Sequence, residues 1–385
     1  MLRLRPASTL SPETDRLIEL ITKGGLRLSN LTGTLGELRG FFRGAWRYWR
    51  LGETAQGSHH LVQKLYAYTD GRSNDILFRI LESKRREAAP TLSWNEVSLE
   101  TCGISDQSIE AVVRTLQVDG VAVVPPRLKK DAVRSLYELA SSCSLKTTTY
   151  GTPGPEYALG IQETVPIVET GTSTGVDPSN ARCAVYQVPR EILLENRYVQ
   201  GLLCDPYLLT VATRYLGVFP IVTRPDMWWD TNCVPQGLRP RPFHVDEGCL
   251  RWLKVGVYLT DTTIETPHFV YVKGSHHPNQ TTRPLTRRLT SRMNLSNKEV
   301  TDVCPEKIVH VTAPAGSIFL ADTRGIHKGE LSLRGCRLVL FFGLEGSAFN
   351  DAVGTQPSPL NKIEPELEKA MSERPFSYQF FRTTH

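Results

Sequence analysis

The sequence predicts an α+β protein with a mainly β core, a sandwich or a jelly-roll barrel, and an extra helical region ahead of it. Three observations predict this. From about residue 182 onward, short β-branched and aromatic runs recur with turn signals between them. Residues 1–98 carry helical spacing, caps and stops instead. Hydrophobic residues make up 40% of the 385 and charged residues 22%, which is enough to bury a sizeable core and too little charge for global disorder.

Taken in order, Ser11-Pro12-Glu13 reads as an N-cap, an N1 proline and an acidic first turn. Leu17, Ile18, Leu20 and Ile21 then form an apolar stripe that Gly24-Gly25 stops. A second helix is expected over 35–51, carrying Phe41, Phe42, Trp46 and Trp49 with Arg43, Arg47 and Arg50 interleaved. Its aromatics are expected to dock on the main domain; contact with nucleic acid or a membrane surface is the alternative. A third helix is expected over 74–87, its basic end suiting a helix C-terminus. Residues 88–94, with Pro90, form a linker. Helix over 109–116, strand over 120–124 and helix over 129–141 follow. Residues 145–180, rich in Gly, Thr and Pro, are expected to be a loop over a site. Strands are expected at 183–187, 221–230, 255–259, 269–272, 308–311, 317–322 and 337–343, interrupted by one clear helix at 205–216. A short helix near 364–371 lies in the polar tail. The expected division is 1–98 helical region, 99–350 jelly-roll domain and 351–385 tail.

The formal net charge of +5 is mild and dispersed, so no nucleic-acid partner is expected. Eight cysteines stand singly with no CxxC pair, which argues against a zinc knuckle and fits a reducing cytosol. The start, Met1-Leu-Arg-Leu-Arg, lacks the apolar core of a signal peptide, and acidic residues by Glu13 and Asp15 weigh against a transit peptide. No run of about 18 apolar residues occurs, so no membrane span is expected. The expected location is cytoplasmic.

The chemistry-bearing signal is Phe243-His244-Val245-Asp246. On a strand, positions 244 and 246 face the same side, so an imidazole and a carboxylate converge. His327, in Gly325-Ile326-His327-Lys328-Gly329, offers a third ligand. Two imidazoles and one carboxylate make the facial triad of non-haem iron(II) oxygenases, leaving three positions for a chelating 2-oxo acid and O2. Arg337 lies ten residues on, opening the apolar strand Arg337-Leu-Val-Leu-Phe-Phe. Its fork suits the distal carboxylate of 2-oxoglutarate. Arg334, before Gly335, reads as solvent-facing. HxD alone is a weak signal. The ordered set of HxD, Gly316-Ser317 strand entry, distal His and following Arg is a strong one.

Across about residues 107–345 the chain resembles the phytanoyl-CoA dioxygenase family of Fe(II)/2-oxoglutarate oxygenases. The resemblance rests on the segment around Asp119–Val124, on Asp205-Pro206-Tyr207-Leu208-Leu209 through Gly217, and on His244-Val245-Asp246. It also rests on Pro267 through Gly274-Ser275-His276, with Lys273 where the family has proline, and on Gly316-Ser317, His327 and Arg337. It implies a double-stranded β-helix with buttressing helices. It further implies His244, Asp246 and His327 as catalytic metal ligands, Arg337 as cosubstrate residue, and hydroxylation, desaturation or cyclisation of a small organic substrate. Asp246 stands where halogenating members have a small residue.

The remaining residues carry weaker signals. Of Trp228 and Trp229, adjacent on one strand, one should point into the barrel as a substrate-pocket residue, core and rim packing being the plainer reading. Arg239 and Arg241 before the metal strand, and Arg251 and Lys254 after it, are candidates to attract an acidic substrate, a solvated rim being the plainer reading. His276 takes a structural part by the family pattern. Two other functions stay open: a non-catalytic jelly-roll binding module, and a hydroxylase of nucleic acid or protein docked by residues 1–98.

Overall fold

The computed structural model describes residues 35–51, 59–85, 105–124, 126–150, 167–233, 241–246, 250–290, 294–331, 334–349 and 357–383. The helix expected near Ser11, the linker 88–94 and Arg239 lie outside the described residues.

Among the described residues the chain begins with helices α1 (Leu35–Leu51), α2 (His59–Tyr68) and α3 (Arg72–Leu81). Then α4 (Asp106–Asp119), β1 (Val121–Val124) and α5 (Lys130–Ser142) give the expected helix–strand–helix. Ser105 caps α4, its hydroxyl accepting from the Ser108 amide, and Gly120 at φ 80° ends it. That glycine is required twice over, because a Cβ there would lie 2.4 Å from the Tyr271 hydroxyl.

The expected loop over 145–180 is corrected. Its flanks are strands β2 (Ser144–Tyr150) and β3 (Ile167–Thr174), paired antiparallel. The Thr147-Thr148-Thr149 run is polar, but β-branching fits it to a pleated ladder. The expectation of one interrupting helix is corrected too. After β4 (Val185–Val188), short helices α6 (Arg190–Leu194) and α7 (Arg197–Leu203) precede α8 (Pro206–Leu216). One or two turns are too short to show a readable period, although Asn196 does cap α7, accepting from the Tyr198 amide at 2.9 Å. The expected strand at 221–230 is split into β5 (Ile221–Val222) and β6 (Asp226–Asp230).

The next strands are β7 (Trp252–Tyr258), β8 (His268–Val272), β9 (Ile308–Val311), β10 (Ile318–Ala321), β11 (His327–Glu330) and β12 (Arg337–Glu345), and the tail adds a separate parallel pair, β13 (Ser358–Leu360) with β14 (Phe381–Thr383). Helices α9 (Arg283–Arg288) and α10 (Asn297–Val303) fall between β8 and β9. The large sheet runs β1-β10-β7-β12-β6-β4-β2-β3, with β5 also on β12, and the small sheet runs β11-β8-β9. Every pairing in both sheets is antiparallel.

The register of β12 sorts the two faces of the large sheet. Leu338, Leu340 and Leu344 join Leu253, Val255 and Val257 of β7 in the main core under α4, α5 and α8. Val339, Tyr258 and Phe319 face inward and pack with Phe269, Tyr271 and Val311 of the small sheet. Two antiparallel sheets closing on a shared apolar interior, with helices covering one outer face, form a jelly-roll core. Gly256 keeps that interior closed: the Phe319 ring lies where its Cβ would be, at 2.2–2.8 Å.

Helices α1, α2 and α3 share the main core through Phe41, Tyr48, Leu61, Leu65, Leu77 and Phe78. Phe41 and Tyr48 meet Phe349 with ring centres 5.5 and 5.8 Å apart. The expected docking of all the α1 aromatics is corrected, since Phe42, Trp46 and Trp49 are exposed. Positions 41, 45 and 48 take the buried stripe, and a helix of this kind buries only one.

Candidate metal centre

His244, Asp246 and His327 converge, with one ligand atom from each lying within 4.8 Å of the others; among the described residues no second cluster of three such groups occurs. The Asp246 Oδ1 lies 3.8 Å from His244 Nε2 and 3.6 Å from His327 Nε2.

The chain brings them together by backbone pairing across 83 residues. The His244 amide donates to the His327 carbonyl and the His327 amide to the His244 carbonyl, both at 2.9 Å. The expected strand through HxD is corrected to isolated bridges, Phe243 opposite Leu295 and His244 opposite His327. Pro242 supplies no amide and stops a longer ladder. Asp246 is anchored instead by its amide, which donates to the Thr323 carbonyl at 2.9 Å. His327 opens β11, whose register with β8 sets it opposite Tyr271.

Both imidazoles are turned the same way. His327 Nδ1 lies 2.9 Å from the Gly325 carbonyl and His244 Nδ1 3.3 Å from the Pro242 carbonyl. A carbonyl only accepts, so each Nδ1 carries a proton and each Nε2 is left on the side of Asp246, the nitrogen available to an ion. Burial first, then the His327 charge, lowers the His244 pKa to about 4, which keeps this ring neutral near pH 7. Burial acts to raise the Asp246 pKa, yet the neighbouring His327 and Lys254 hold it well below the usual carboxylate range.

The loop before His327 is gripped hard. Tyr271 Oη donates to the Asp322 carbonyl at 2.7 Å, and the Ile326 amide donates to Ser275 Oγ at 2.7 Å. A Cβ on Gly325 would lie 1.9 Å from Tyr271 Oη. Below the loop, Arg324 donates to both carboxylate oxygens of buried Asp322, and its Nη1 reaches Asp75 of α3 at 3.4 Å. Only the Gly-Ser-His turn of this support was signalled in the sequence. A buried Arg two residues from an Asp shows no periodicity.

Arg337 is buried, points inward and pairs with Asp230, its register partner on β6. Arg241 reaches the other Asp230 oxygen at 3.2 Å, and Trp228 Nε1 donates to Asp230 at 3.1 Å. Burial acts to raise the Asp230 pKa, but the Arg337 and Arg241 charges keep it lowered. The inward Arg therefore finds an anion within the chain, which sequence reasoning missed. The signal was an acid ending the strand Asp226–Asp230. Arg337 Nε and Nη1 nevertheless stay buried with no hydrogen-bond partner. Arg334 is exposed.

Trp228 and Trp229 face opposite ways. Trp228 packs tilted against Phe341 of the interior with ring centres 4.9 Å apart, while Trp229 is buried beneath α5, its Nε1 donating to the Ala140 carbonyl at 3.0 Å. The solvated-rim reading of Arg251 and Lys254 is corrected: Arg251 packs on Phe78 and Tyr215, and Lys254 Nζ bonds Asp246 Oδ2 at 2.7 Å. His276 is buried away from the triad, with Nε2 3.3 Å from the Gln117 carbonyl.

No helix among the described residues is long and apolar enough to cross a membrane. A scan against protein-family models finds no match, and no curated protein matches the chain. Solved structures do. The chain is similar to SnoK, a non-heme alpha-ketoglutarate-dependent carbocyclase from nogalamycin biosynthesis, at 18% identity over 69% of this chain and 95% of that one, with a TM-score of 0.41. It is similar to the epimerase SnoN in complex with Fe3+, alpha-ketoglutarate and nogalamycin RO, at 16% identity over 67% and 94%, TM-score 0.43. It is also similar to HygX from Streptomyces hygroscopicus with nickel and 2-oxoglutarate bound, at 16% identity over 69% and 94%, TM-score 0.39.

Proposed function

We propose that this chain is a mononuclear non-haem iron(II) oxygenase that uses 2-oxoglutarate and O2 to oxidise a small organic substrate. The observation that carries the reading is the convergence of His244 Nε2, Asp246 Oδ1 and His327 Nε2 on one point. Ligands about 2.1 Å from an octahedral ion and adjacent on it lie about 3.0 Å apart. The separations of 3.6 and 3.8 Å thus need to close by only some tenths of an ångström per side chain. Two neutral nitrogens and one hard oxygen, with no thiolate, suit iron(II) with open positions.

In this reading His244, Asp246 and His327 are the catalytic residues and hold the ion. Bound iron supplies the O2-activating redox chemistry that no side chain offers. The chain's own groups bind and orient. Arg337, with Nε and Nη1 buried and unpartnered, has donors to spare for the distal carboxylate of 2-oxoglutarate, while Asp230 fixes the guanidinium plane. Trp228 and Phe341 wall the interior on the same face as Arg337 and are the candidates to line the substrate pocket. Trp229, buried beneath α5, is not placed to touch a ligand there. Asp246 favours hydroxylation, desaturation or cyclisation over halogenation. A cytoplasmic enzyme of specialised metabolism, with residues 99–350 as its catalytic domain, completes the reading.

The test is substrate-free. Purified protein with iron(II), ascorbate and 2-oxoglutarate should form succinate slowly, and Asp246→Ala should abolish it. Stoichiometric iron binding with no succinate would favour a non-catalytic binding module, and turnover retained in Asp246→Ala would remove the carboxylate assignment.

A further inference from the structure

We propose that Lys254 is a positioning residue that keeps Asp246 a one-oxygen ligand. The proposal rests on the triad reading and deepens it. Lys254 lies on the inward face of β7, in register with Ala321 of β10 on one side and Gly343 of β12 on the other. Neither neighbour has a side chain longer than a methyl group, so the lysine stem has room across the sheet. Its ammonium sits 5.6 Å from the centre of the Trp252 ring and 5.8 Å from that of Phe341, a setting that favours a cation.

The two Asp246 oxygens are thereby set apart in role. Oδ1 faces both Nε2 atoms, whereas Oδ2 takes the Lys254 Nζ bond at 2.7 Å. The Asp246 amide, tied to the Thr323 carbonyl, fixes the main chain behind them. An oxygen engaged by an ammonium at this distance is a poor second ligand, because turning it to the ion would break a charge-assisted hydrogen bond. A carboxylate that chelated would take a fourth position. A triad of three single atoms leaves three, the number that a chelating 2-oxo acid and one further ligand require. Lys254 does not duplicate Arg337: along β12 the Gly343 row lies six residues from Arg337, about 20 Å at strand spacing, beyond what both side chains could share on one small carboxylate.

The experiment compares wild type, Lys254→Met and Lys254→Arg. Co(II) alone is titrated and read by its ligand-field absorption. Anaerobic iron(II) is then titrated with 2-oxoglutarate and read by the visible charge-transfer band of the chelate. Lys254→Met is expected to bind Co(II) no more weakly than wild type, since loss of the cation leaves the carboxylate more available, but with an altered ligand-field spectrum. Its 2-oxoglutarate affinity is expected to fall at least about tenfold, the usual lower bound for removing an outer partner of a ligand. Lys254→Arg should restore both readouts. Unchanged spectrum and 2-oxoglutarate affinity in Lys254→Met would overturn the inference with the triad reading intact. So would a collapse of Co(II) binding matching Asp246→Ala, because it would make Lys254 a mere structural prop. Failure of the wild type to bind Co(II) would overturn the triad reading itself, and this inference with it.

Discussion

His244 and His327 exchange both backbone hydrogen bonds at 2.9 Å while their rings sit 4.5 Å apart, so one pair of residues both joins distant chain segments and forms two corners of the proposed metal centre. Any change that shifts the loop before His327 should therefore be read out at the metal before it is read out in the fold.

Gly325→Ala tests this. Its new Cβ would collide with the Tyr271 hydroxyl, which is itself tied to the Asp322 carbonyl. The expected result is a stability loss of about 1–3 kcal/mol, typical of overpacking, together with weakened Co(II) binding. The measurements are chemical denaturation and metal titration. Tyr271→Phe in the same chain removes the oxygen at 1.9 Å but leaves the ring carbon at 2.5 Å, so it should recover only a part of either loss.

Arg337→Met is expected to abolish measurable 2-oxoglutarate binding while leaving Co(II) binding close to wild type, because the guanidinium is not a triad member. It also strands buried Asp230, which keeps Arg241 at 3.2 Å as its remaining cation. Asp230→Ala should cost more in stability, about 3–5 kcal/mol, because it leaves a fully buried Arg337 unpaired. Isothermal titration and urea unfolding separate the two effects.

Asp75→Ala asks whether the helical region supports the centre. Asp75 faces Arg324 at 3.4 Å and Arg251 at 3.8 Å, and Arg324 clamps Asp322. The expected loss is about 1–3 kcal/mol, the range for leaving a buried donor less satisfied. Arg324→Met should lose about 3–5 kcal/mol, because buried Asp322 would keep no close cation. Thermal unfolding of the full chain orders the two.

The pH dependence of stability follows from His276, whose pKa burial lowers to about 4. The unfolded chain binds this proton from about pH 6.5 downward, whereas the folded one does so only near pH 4. The contribution is thus complete above about pH 6.5 and is lost as pH falls toward 4, at up to about 1.4 kcal/mol per unit. Asp205, raised to about 7 by burial, works in the opposite sense, its contribution shrinking as pH rises from about 4 to 7. Urea unfolding of wild type and His276→Asn at pH 5 and 7 isolates the first term. The variant should show the smaller fall in stability from pH 7 to 5.

Much of this was legible in the sequence. Period-two and β-branched runs marked β1, β7, β8, β9, β10 and β12 within a few residues. Asp205-Pro206 and the following Gly217 bounded α8. The threonine strand β2 was hidden by its polar composition, and α6 and α7 by their brevity. The three proposed ligands were legible because their chemistry is rare and their order along the chain is distinctive. Their supports were not. Asp230, Lys254, Tyr271 and Arg324 take their roles here through partners 8 to 249 residues away, beyond any short window.

The amino-acid order determined which atoms this protein could offer a metal and which stretches would pleat or coil, because residue chemistry and local periodicity are properties of short windows. Tertiary structure alone decided that Asp246 shows one oxygen to the imidazoles and the other to Lys254, and that Arg337 shares its charge with Asp230. It also decided that a helix near residue 75 braces the loop behind His327. Those outcomes depend on sheet register and on low-dielectric pairing between strands, where a shift of one residue would send each side chain to the opposite face.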